Sequence, residues 1–160
     1  MRRAAIALLV GVACWTRPAL AQLEGSIEPQ VRADAILSRN TTTVQGGIGV
    51  QVPAGYYVRV GVDGALGADL SSGRSATSGR LDILARFLFD PFRQTRWGVS
   101  AGGGLSLRAS QATKVRPYLL TVLDIEAPRT AAGLAPAFEL GLGGGVRVGF
   151  VLRRAAVRTR

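Results

Sequence analysis

The sequence predicts an all-β fold: a closed antiparallel up-and-down β-barrel, with about eight strands that cross a membrane. Three observations carry this prediction. Polar and apolar residues alternate from Ser26 to Phe150, and a side-chain period of two indicates strands. Eight of the ten carboxylates fall on one face of these strands, and the other face is almost purely aliphatic, glycine or aromatic. Faces that prefer such different solvents fit a sheet closed on itself.

The first 21 residues predict a secretory signal peptide. Arg2 and Arg3 form a charged start, an apolar run follows over 4–15, and Ala19-Leu20-Ala21 provides a small-residue cleavage site. The apolar run is too short to span a membrane as a helix. We therefore expect a signal peptide over 1–21 and one transmembrane β-barrel domain over 22–160.

The only cysteine of the chain, Cys14, lies in the predicted signal peptide. It leaves a lipoprotein open as an alternative, although Gly11 stands where lipoprotein cleavage sites carry a larger aliphatic residue. Cleavage after residue 21 of 160 would leave 139 residues without a thiol. No disulfide would then stabilise the barrel, although an oxidising compartment permits one.

The alternation defines six strands before the last segment of the chain. They cover residues 26–38, 43–52, 56–69, 79–89, 97–108 and 116–127. In the first, Val31 and Leu37 share a face opposite Arg32 and Asp34. The next three repeat this arrangement, with apolar faces formed by Val44, Ile48, Val50 and Val52, by Val58, Val60, Val62 and Leu66, and by Leu81, Ile83, Phe87 and Phe89.

The segment from Pro136 to Leu152 leaves two arrangements open. Its apolar residues keep one face throughout, although a two-residue hairpin would invert the alternation. Either a three-residue turn lies at Gly143-Gly144-Gly145, or one long strand is followed by a short eighth strand within 154–160. Both arrangements give eight strands, the smallest even number for bacterial barrels of this kind.

The connections alternate in composition, which distinguishes the two ends of the barrel. Residues 39–42, 70–78 and 109–115 are rich in Ser, Thr, Gly and Arg, whereas 53–55, 90–96 and 128–135 contain prolines. With the N-terminus in the periplasm, the first set is expected outside the cell. The second set is then expected in the periplasm.

Aromatic residues cluster beside the proline-containing connections. Tyr56, Phe89, Trp97 and Phe138 all fall on the apolar face near that rim. A ring of this kind is typical of the girdle that anchors membrane barrels at the lipid–water interface. Ordinary core aromatics are the alternative interpretation.

The charged face predicts an ion-paired interior, because an eight-stranded barrel is only wide enough for its own side chains. The candidate members are Glu28, Arg32, Asp34, Arg59, Asp63, Arg80, Asp82, Arg86, Asp124, Glu126, Glu139 and Arg147, with Asp69, Arg108 and Arg116 on the same face. Arg116 is expected to balance Asp124 and Glu126, which lie on its own strand. Glycines on this face, such as Gly49 and Gly141, would provide room. The surplus cations are expected in loops and in a tail with Arg153, Arg154, Arg158 and Arg160.

Five cations mark the rim that is expected outside the cell. They are Arg39, Arg74, Arg108, Lys114 and Arg116. We hypothesise that they contact the phosphates of outer-leaflet lipopolysaccharide, because a guanidinium can bind a phosphate through two hydrogen bonds. Solvated loop charge is the alternative.

These features together resemble the small bacterial outer-membrane barrels typified by the OmpA membrane domain and OmpX. The resemblance covers residues 26–154 and is architectural: a signal peptide, about eight alternating strands, short turns at one rim and polar loops at the other. It implies a cell outer-membrane location, with lipid and the barrel-insertion machinery as partners. This chain differs in its short outer loops and in ending with Arg158-Thr159-Arg160, where family members end a strand in an aromatic residue.

The composition argues against an enzyme. The chain has no histidine, so neither a catalytic triad nor a His-ligated zinc site can form, and we expect no metal and no cofactor. The formal charge of +10 falls to +7 when three arginines leave with the signal peptide. Because many of the remaining arginines share a face with carboxylates, we expect no nucleic-acid partner.

We therefore expect a non-enzymatic integral outer-membrane barrel with a structural or surface-interaction role and a lumen plugged by ion pairs. The alternative is a secreted, lipocalin-like soluble barrel that binds an apolar ligand, in which the apolar face lies inside and the charges outside. Alternation alone does not decide which face is inside. Glycine on the charged face and the scarcity of Lys and Glu favour the membrane barrel.

Overall fold

The computed structural model describes residues 27–71, 74–92, 94–111 and 113–154. Within these ranges it contains eight strands: β1 (Glu28–Leu37), β2 (Thr42–Pro53), β3 (Val58–Ser71), β4 (Arg74–Leu88), β5 (Gly98–Ser110), β6 (Thr113–Glu126), β7 (Leu134–Leu142) and β8 (Val146–Arg154). The predicted signal peptide over 1–21 lies outside the described residues, as does the tail from residue 155. No helix in the described part of the chain is long and apolar enough to span a membrane.

Each strand pairs antiparallel with the next, and β8 returns to pair with β1, so the sheet closes into a barrel. The closing seam runs from Gln30 opposite Arg153 to Leu37 opposite Val146. Closure pairs the edges that an open sheet would leave exposed along this seam. The predicted closed eight-stranded antiparallel barrel is confirmed.

The barrel has two rims of different character. The terminal rim holds the start of β1 and the end of β8. It also holds the connections over 54–57, 89–97 and 127–133. The hairpin rim holds the connections over 38–41 and 143–145, together with the end of β3, the start of β4, the end of β5 and the start of β6. The two longest connections therefore lie on the terminal rim.

Two predicted outer connections are largely strand, so their predicted extents are wrong. β4 begins at Arg74 and β6 at Thr113, whereas loops were expected over 70–78 and 109–115. Ser71 pairs with Arg74, and Ser110 pairs with Thr113 after a register shift. Ser, Thr and Ala in these segments are compatible with turns, but they also pair well once neighbouring strands hold them in a ladder.

The end of the chain adopts the first of the two arrangements left open by the sequence. Leu142 pairs with Val146 across a three-residue turn over 143–145, so the alternation continues from β7 into β8. Gly144 and Gly145 have φ angles of 70° and 151°, which residues with a Cβ rarely adopt. The alternative with one long strand and a short eighth strand is wrong.

The charged face lies inside the barrel and the apolar face outside. Ile48 and Leu66 on the outer face are 71% and 73% exposed, whereas Asp63 and Glu139 on the inner face are fully buried. This arrangement is the reverse of a lipocalin, in which hydrocarbon lines the interior. The lipocalin-like alternative is therefore wrong.

The hairpin rim is uneven around the barrel. β6 pairs with β5 along its length from Thr113, but it pairs with β7 only from Thr121 to Glu126. The described residues of β7 and β8 thus leave Thr113–Leu120 with a strand on one side only. We call the resulting gap in the wall the notch: it lies beside Thr113–Leu120 and above the turn over 143–145.

Candidate functional site

Arg32 of β1 occupies the centre of the ion-paired interior. Its Nε donates to Asp34 Oδ2 at 2.9 Å, Nη1 to Asp63 Oδ2 at 2.5 Å, and Nη2 to Glu139 Oε1 at 2.6 Å. The three carboxylates come from β1, β3 and β7, on different sides of the barrel. One guanidinium therefore ties three parts of the wall together.

The Glu139 carboxylate of β7 forms ion pairs with three arginines. Arg32, Arg86 and Arg147 each approach it to 2.6 Å. Arg147 also contacts Asp82 at 2.6 Å, which extends the network to β4. All these side chains are nearly inaccessible to water.

Arg80 joins the same network from β4. It donates to Asp34, and its Nε lies 3.0 Å from Asp82 Oδ2. Gln30 of β1 adds a neutral member by donating to Asp63. Paired and hydrogen-bonded charges of this kind are tolerable where a lone buried charge would be costly.

Arg153 of β8 forms a second cluster closer to the terminal rim. Its Nη1 donates to Asp124 Oδ1 at 2.9 Å and to Glu126 Oε2 at 3.1 Å, and its Nε donates to Gln30 at 3.1 Å. Arg153 is 3% exposed, so its assignment to a surplus tail is wrong. The expectation that Arg116 balances Asp124 and Glu126 is also wrong, because Arg153 does so. The alternation from Arg147 through Gly149 and Val151 to Arg153 could have revealed this role.

The terminal-rim mouth carries looser ion pairs. Arg59 lies 3.4 Å from Glu28 and 3.7 Å from Glu126, and Arg129 lies 3.3 Å from Glu28. A cavity of about 30 Å³ at this mouth is lined by Arg59, Asp90, Pro91 and Arg153. That volume has room for one or two water molecules.

The interior charges nearly balance. The buried arginines are Arg32, Arg80, Arg86, Arg147 and Arg153, and the buried carboxylates are Asp34, Asp63, Asp82, Asp124, Glu126 and Glu139. Most of the positive charge of the chain therefore lies outside this network.

Small residues make the crowded interior possible. A methyl group at Gly49 would overlap the carboxylate of Asp63, and one at Gly149 would overlap that of Asp34. Leu84, Leu120 and Val122 form a buried apolar cluster in the same interior. Side chains thus fill the space that a wider barrel would leave to water.

The predicted girdle residues lie outward at or near the terminal rim. Tyr56, Phe89, Trp97 and Phe138 are between 44% and 79% exposed. Tyr57, Phe87 and Phe92 were not among the predicted members, although they join the same surface. Tyr57 stacks on Phe87 at 5.7 Å, and Phe92 lies 6.2 Å from both Tyr56 and Tyr57.

The five predicted rim cations lie at the hairpin rim. Arg39, Arg74, Lys114 and Arg116 are exposed, and Arg108 is half-buried. Arg108 donates to Thr43 Oγ1 at 3.0 Å and to the Gly144 carbonyl at 3.3 Å, and it lies 5.8 Å from the Tyr118 ring. No carboxylate of the described residues forms an ion pair with any of these five cations.

The described residues offer no group of three or more His, Cys, Asp or Glu side chains arranged to hold a metal ion. Asp124 and Glu126 instead share Arg153. The arrangement therefore provides cross-barrel ion pairing, an apolar outer belt and a cationic rim.

A closed eight-stranded barrel with ionic side chains inside and hydrocarbon outside is the architecture of transmembrane β-barrels. Neisserial surface protein A has the same fold: its crystal structure is similar to this chain with a TM-score of 0.56 and 13% identity, over 80% of this chain and 94% of that one. A de novo designed barrel, TMB2.3, gives a TM-score of 0.45 and 11% identity over 82% of this chain and 94% of that one. No protein-family model matches the sequence, and no curated protein matches it.

Proposed function

We propose that this chain is a non-enzymatic integral protein of the bacterial outer membrane, with a sealed lumen and a structural or surface-interaction role. The observation that carries the proposal is the placement of the two faces. Val31, Ile48 and Leu66 are 59–73% exposed on the outer wall, while the interior carboxylates are buried and paired. Water would penalise such an outer wall, whereas lipid would not.

The sealed lumen follows from the two ion-pair clusters. Glu139 of β7 joins Arg32 of β1 and Arg86 of β4 across the middle of the barrel, and Arg153 with Asp124 fills the space nearer the terminal rim. Moving these side chains aside would separate buried charges from their partners, at a cost of several kcal/mol for each. A passive pore for solutes is therefore disfavoured.

The orientation follows from the even number of strands. β1 begins and β8 ends at the terminal rim, so an exported chain would keep that rim in the periplasm. The hairpin rim with Arg39, Arg74, Arg108, Lys114 and Arg116 would then meet the phosphates of outer-leaflet lipopolysaccharide. The longer connections lie on the periplasmic side in this orientation, which differs from the short periplasmic turns of most outer-membrane barrels.

The primary test is membrane fractionation of cells that express the full chain. We expect the protein in the outer-membrane fraction after alkaline carbonate washing, with a different gel mobility before and after boiling in detergent. Recovery in the aqueous periplasmic extract without detergent would refute the proposal.

Labelling of single cysteines tests the orientation. The predicted mature chain has no cysteine, so Asn40→Cys in the 38–41 connection and Ala132→Cys in the 127–133 connection each provide one thiol. A membrane-impermeant maleimide should label the first variant on intact cells and the second only after lysis. The opposite pattern would invert the proposed orientation.

A further inference from the structure

The notch opens beside a polar cup at the hairpin rim. The cup has a volume of about 250 Å³, and its charged lining residues are Asp69, Arg108 and Arg116. Ser38, Tyr118 and Gly144 contribute neutral groups. A methyl group at Gly144 would come within 2.8 Å of the Tyr118 ring, so the turn over 143–145 lies against that ring. The floor of the notch is therefore also one side of the cup.

Two guanidinium groups line this cup together with the Asp69 carboxylate, and neither forms an ion pair with a carboxylate of the described residues. Arg108 and Arg116 are register partners on β5 and β6, and directly opposed like charges destabilise a strand pair. Arg108 is held by Thr43, Gly144 and the Tyr118 ring, and the Thr43 hydroxyl in turn donates to Asp69 Oδ1 at 2.6 Å. The cup therefore holds two guanidinium groups and one carboxylate, which leaves it a net positive charge. An anion between the two arginines would remove this repulsion.

An apolar groove lies on the outer wall directly below the notch. Its volume is about 420 Å³, and Leu123 of β6, Leu140 and Leu142 of β7, and Val146 of β8 line it. The groove follows the β6–β7 seam, where the paired part of β6 begins at Thr121. A polar cup and an apolar groove thus meet at one end of the same seam.

The single-sided segment of β6 is unsuited to pairing with another strand. Pro117 lacks a backbone donor, and Lys114 and Arg116 place charge along the same segment. Proline and charged residues are common protections of strand edges against added strands. A lipid fits the notch better than a peptide strand does.

We propose that the notch binds one molecule of lipid A, with a phosphate between Arg108 and Arg116 and an acyl chain in the β6–β7 groove. Lipid A is the phosphorylated, acylated glucosamine disaccharide that anchors lipopolysaccharide, so it combines the anion and the hydrocarbon chain that this seam requires. The inference rests on the proposed outer-membrane location and on the outward orientation of the hairpin rim.

The test is lipid retention measured by native mass spectrometry. The full chain is reconstituted in phosphatidylcholine nanodiscs that contain lipid A, dephosphorylated lipid A or phosphatidylglycerol. We expect one retained lipid A for each protein, with the dephosphorylated form and phosphatidylglycerol retained at least about tenfold less, since charge-assisted contacts are lost. Equal retention of either comparison lipid would overturn the assignment.

Two variants and one control locate the site. The pair Arg108→Gln/Arg116→Gln should lose lipid A retention about tenfold because two charge-assisted contacts are removed. Thr121→Trp, which fills the groove and leaves both arginines in place, should lower it comparably. The control pair Arg96→Gln/Arg154→Gln removes the same charge from exposed positions at the terminal rim and should retain lipid A as wild type does. Equal losses in the notch and control pairs would show diffuse attraction and refute the site.

The two proposals fail in different ways. If the wild-type chain does not enter nanodiscs, the membrane proposal fails. If it enters them with heat-modifiable mobility but retains no lipid A, only the notch proposal fails.

Discussion

Arg153 of β8 and Asp124 of β6 meet inside the barrel across the intervening strand β7, with 2.9 Å between Nη1 and Oδ1. Both terminal guanidinium nitrogens of Arg153, Nη1 and Nη2, donate to this carboxylate, and Nη1 also donates to Glu126. This one side chain therefore bridges two buried carboxylates beside the seam that closes the barrel, and Arg59 adds a second positive charge 3.7 Å from Glu126.

Removal of Arg153 should strongly destabilise the fold. Arg153→Leu would leave Asp124 and Glu126 with a shortage of positive charge, and we expect a loss of about 3–5 kcal/mol. Arg154→Leu, at the adjacent outward and exposed position, should change stability by less than about 0.5 kcal/mol. Urea unfolding in lipid vesicles, followed by gel mobility, measures both. Similar unfolding midpoints for the two variants would contradict the ion-pair assignment.

Neutralising Glu139 should lower the free energy of unfolding more than neutralising Glu28. Glu139 holds three arginines at 2.6 Å, so Glu139→Gln should lose about 3–5 kcal/mol. Glu28 contacts Arg59 and Arg129 at 3.3–3.4 Å nearer the mouth, so Glu28→Gln should lose about 1 kcal/mol or less. The free energies of unfolding decide the matter, and equal values would show that the interior network adds no special stability.

A charged residue introduced on the outer wall should destabilise the barrel most near the middle of the wall. Ile48 lies in the middle of β2 and is 71% exposed, so Ile48→Arg should cost about 2–4 kcal/mol in a bilayer. Leu70 lies near the end of β3 at the hairpin rim, where Leu70→Arg should cost about 1 kcal/mol or less. Folding yields and unfolding free energies in vesicles test this. Equal tolerance at the two positions would argue against a lipid-facing wall.

Inner glycines should be less replaceable than outer ones. Gly49→Ala places a methyl group on the Asp63 carboxylate, so we expect a loss of about 1–3 kcal/mol from overpacking. Gly46 lies three residues away on the outer face with nothing within 4 Å of its added methyl, and Gly46→Ala should be nearly neutral. A thermal or urea unfolding series with both variants provides the comparison. A neutral Gly49→Ala would show that the interior has room to relax.

The alternation predicted the faces, the strand number and most of the ion-paired residues, because a barrel wall requires that every strand keep the same period of two. It predicted the closing turn only as one of two possibilities, since Gly143-Gly144-Gly145 preserves the alternation whether it turns or continues. Which face lies inside depends on closure, which no single strand encodes.

Strand ends and individual partners were harder to predict. The segment 74–78 is strand because β3 pairs with it, although its own residues are equally compatible with a loop. Asp124 pairs with Arg153, which lies 29 residues away in the chain, and Arg116 on its own strand points into the cup at the hairpin rim. Such partners depend on the stagger of the strands around the barrel, which composition does not show.

Because β8 pairs with β1, the two ends of the described barrel lie close together. Glu28 and Arg154 lie at the same rim on hydrogen-bonded neighbours, so a short linker could join them without disturbing any ladder. A circular permutant reopened within the 38–41 connection would keep the same strand pairings with a new strand order along the polypeptide. The fold is therefore defined by its closed set of strand pairings and not by the order in which the strands are synthesised.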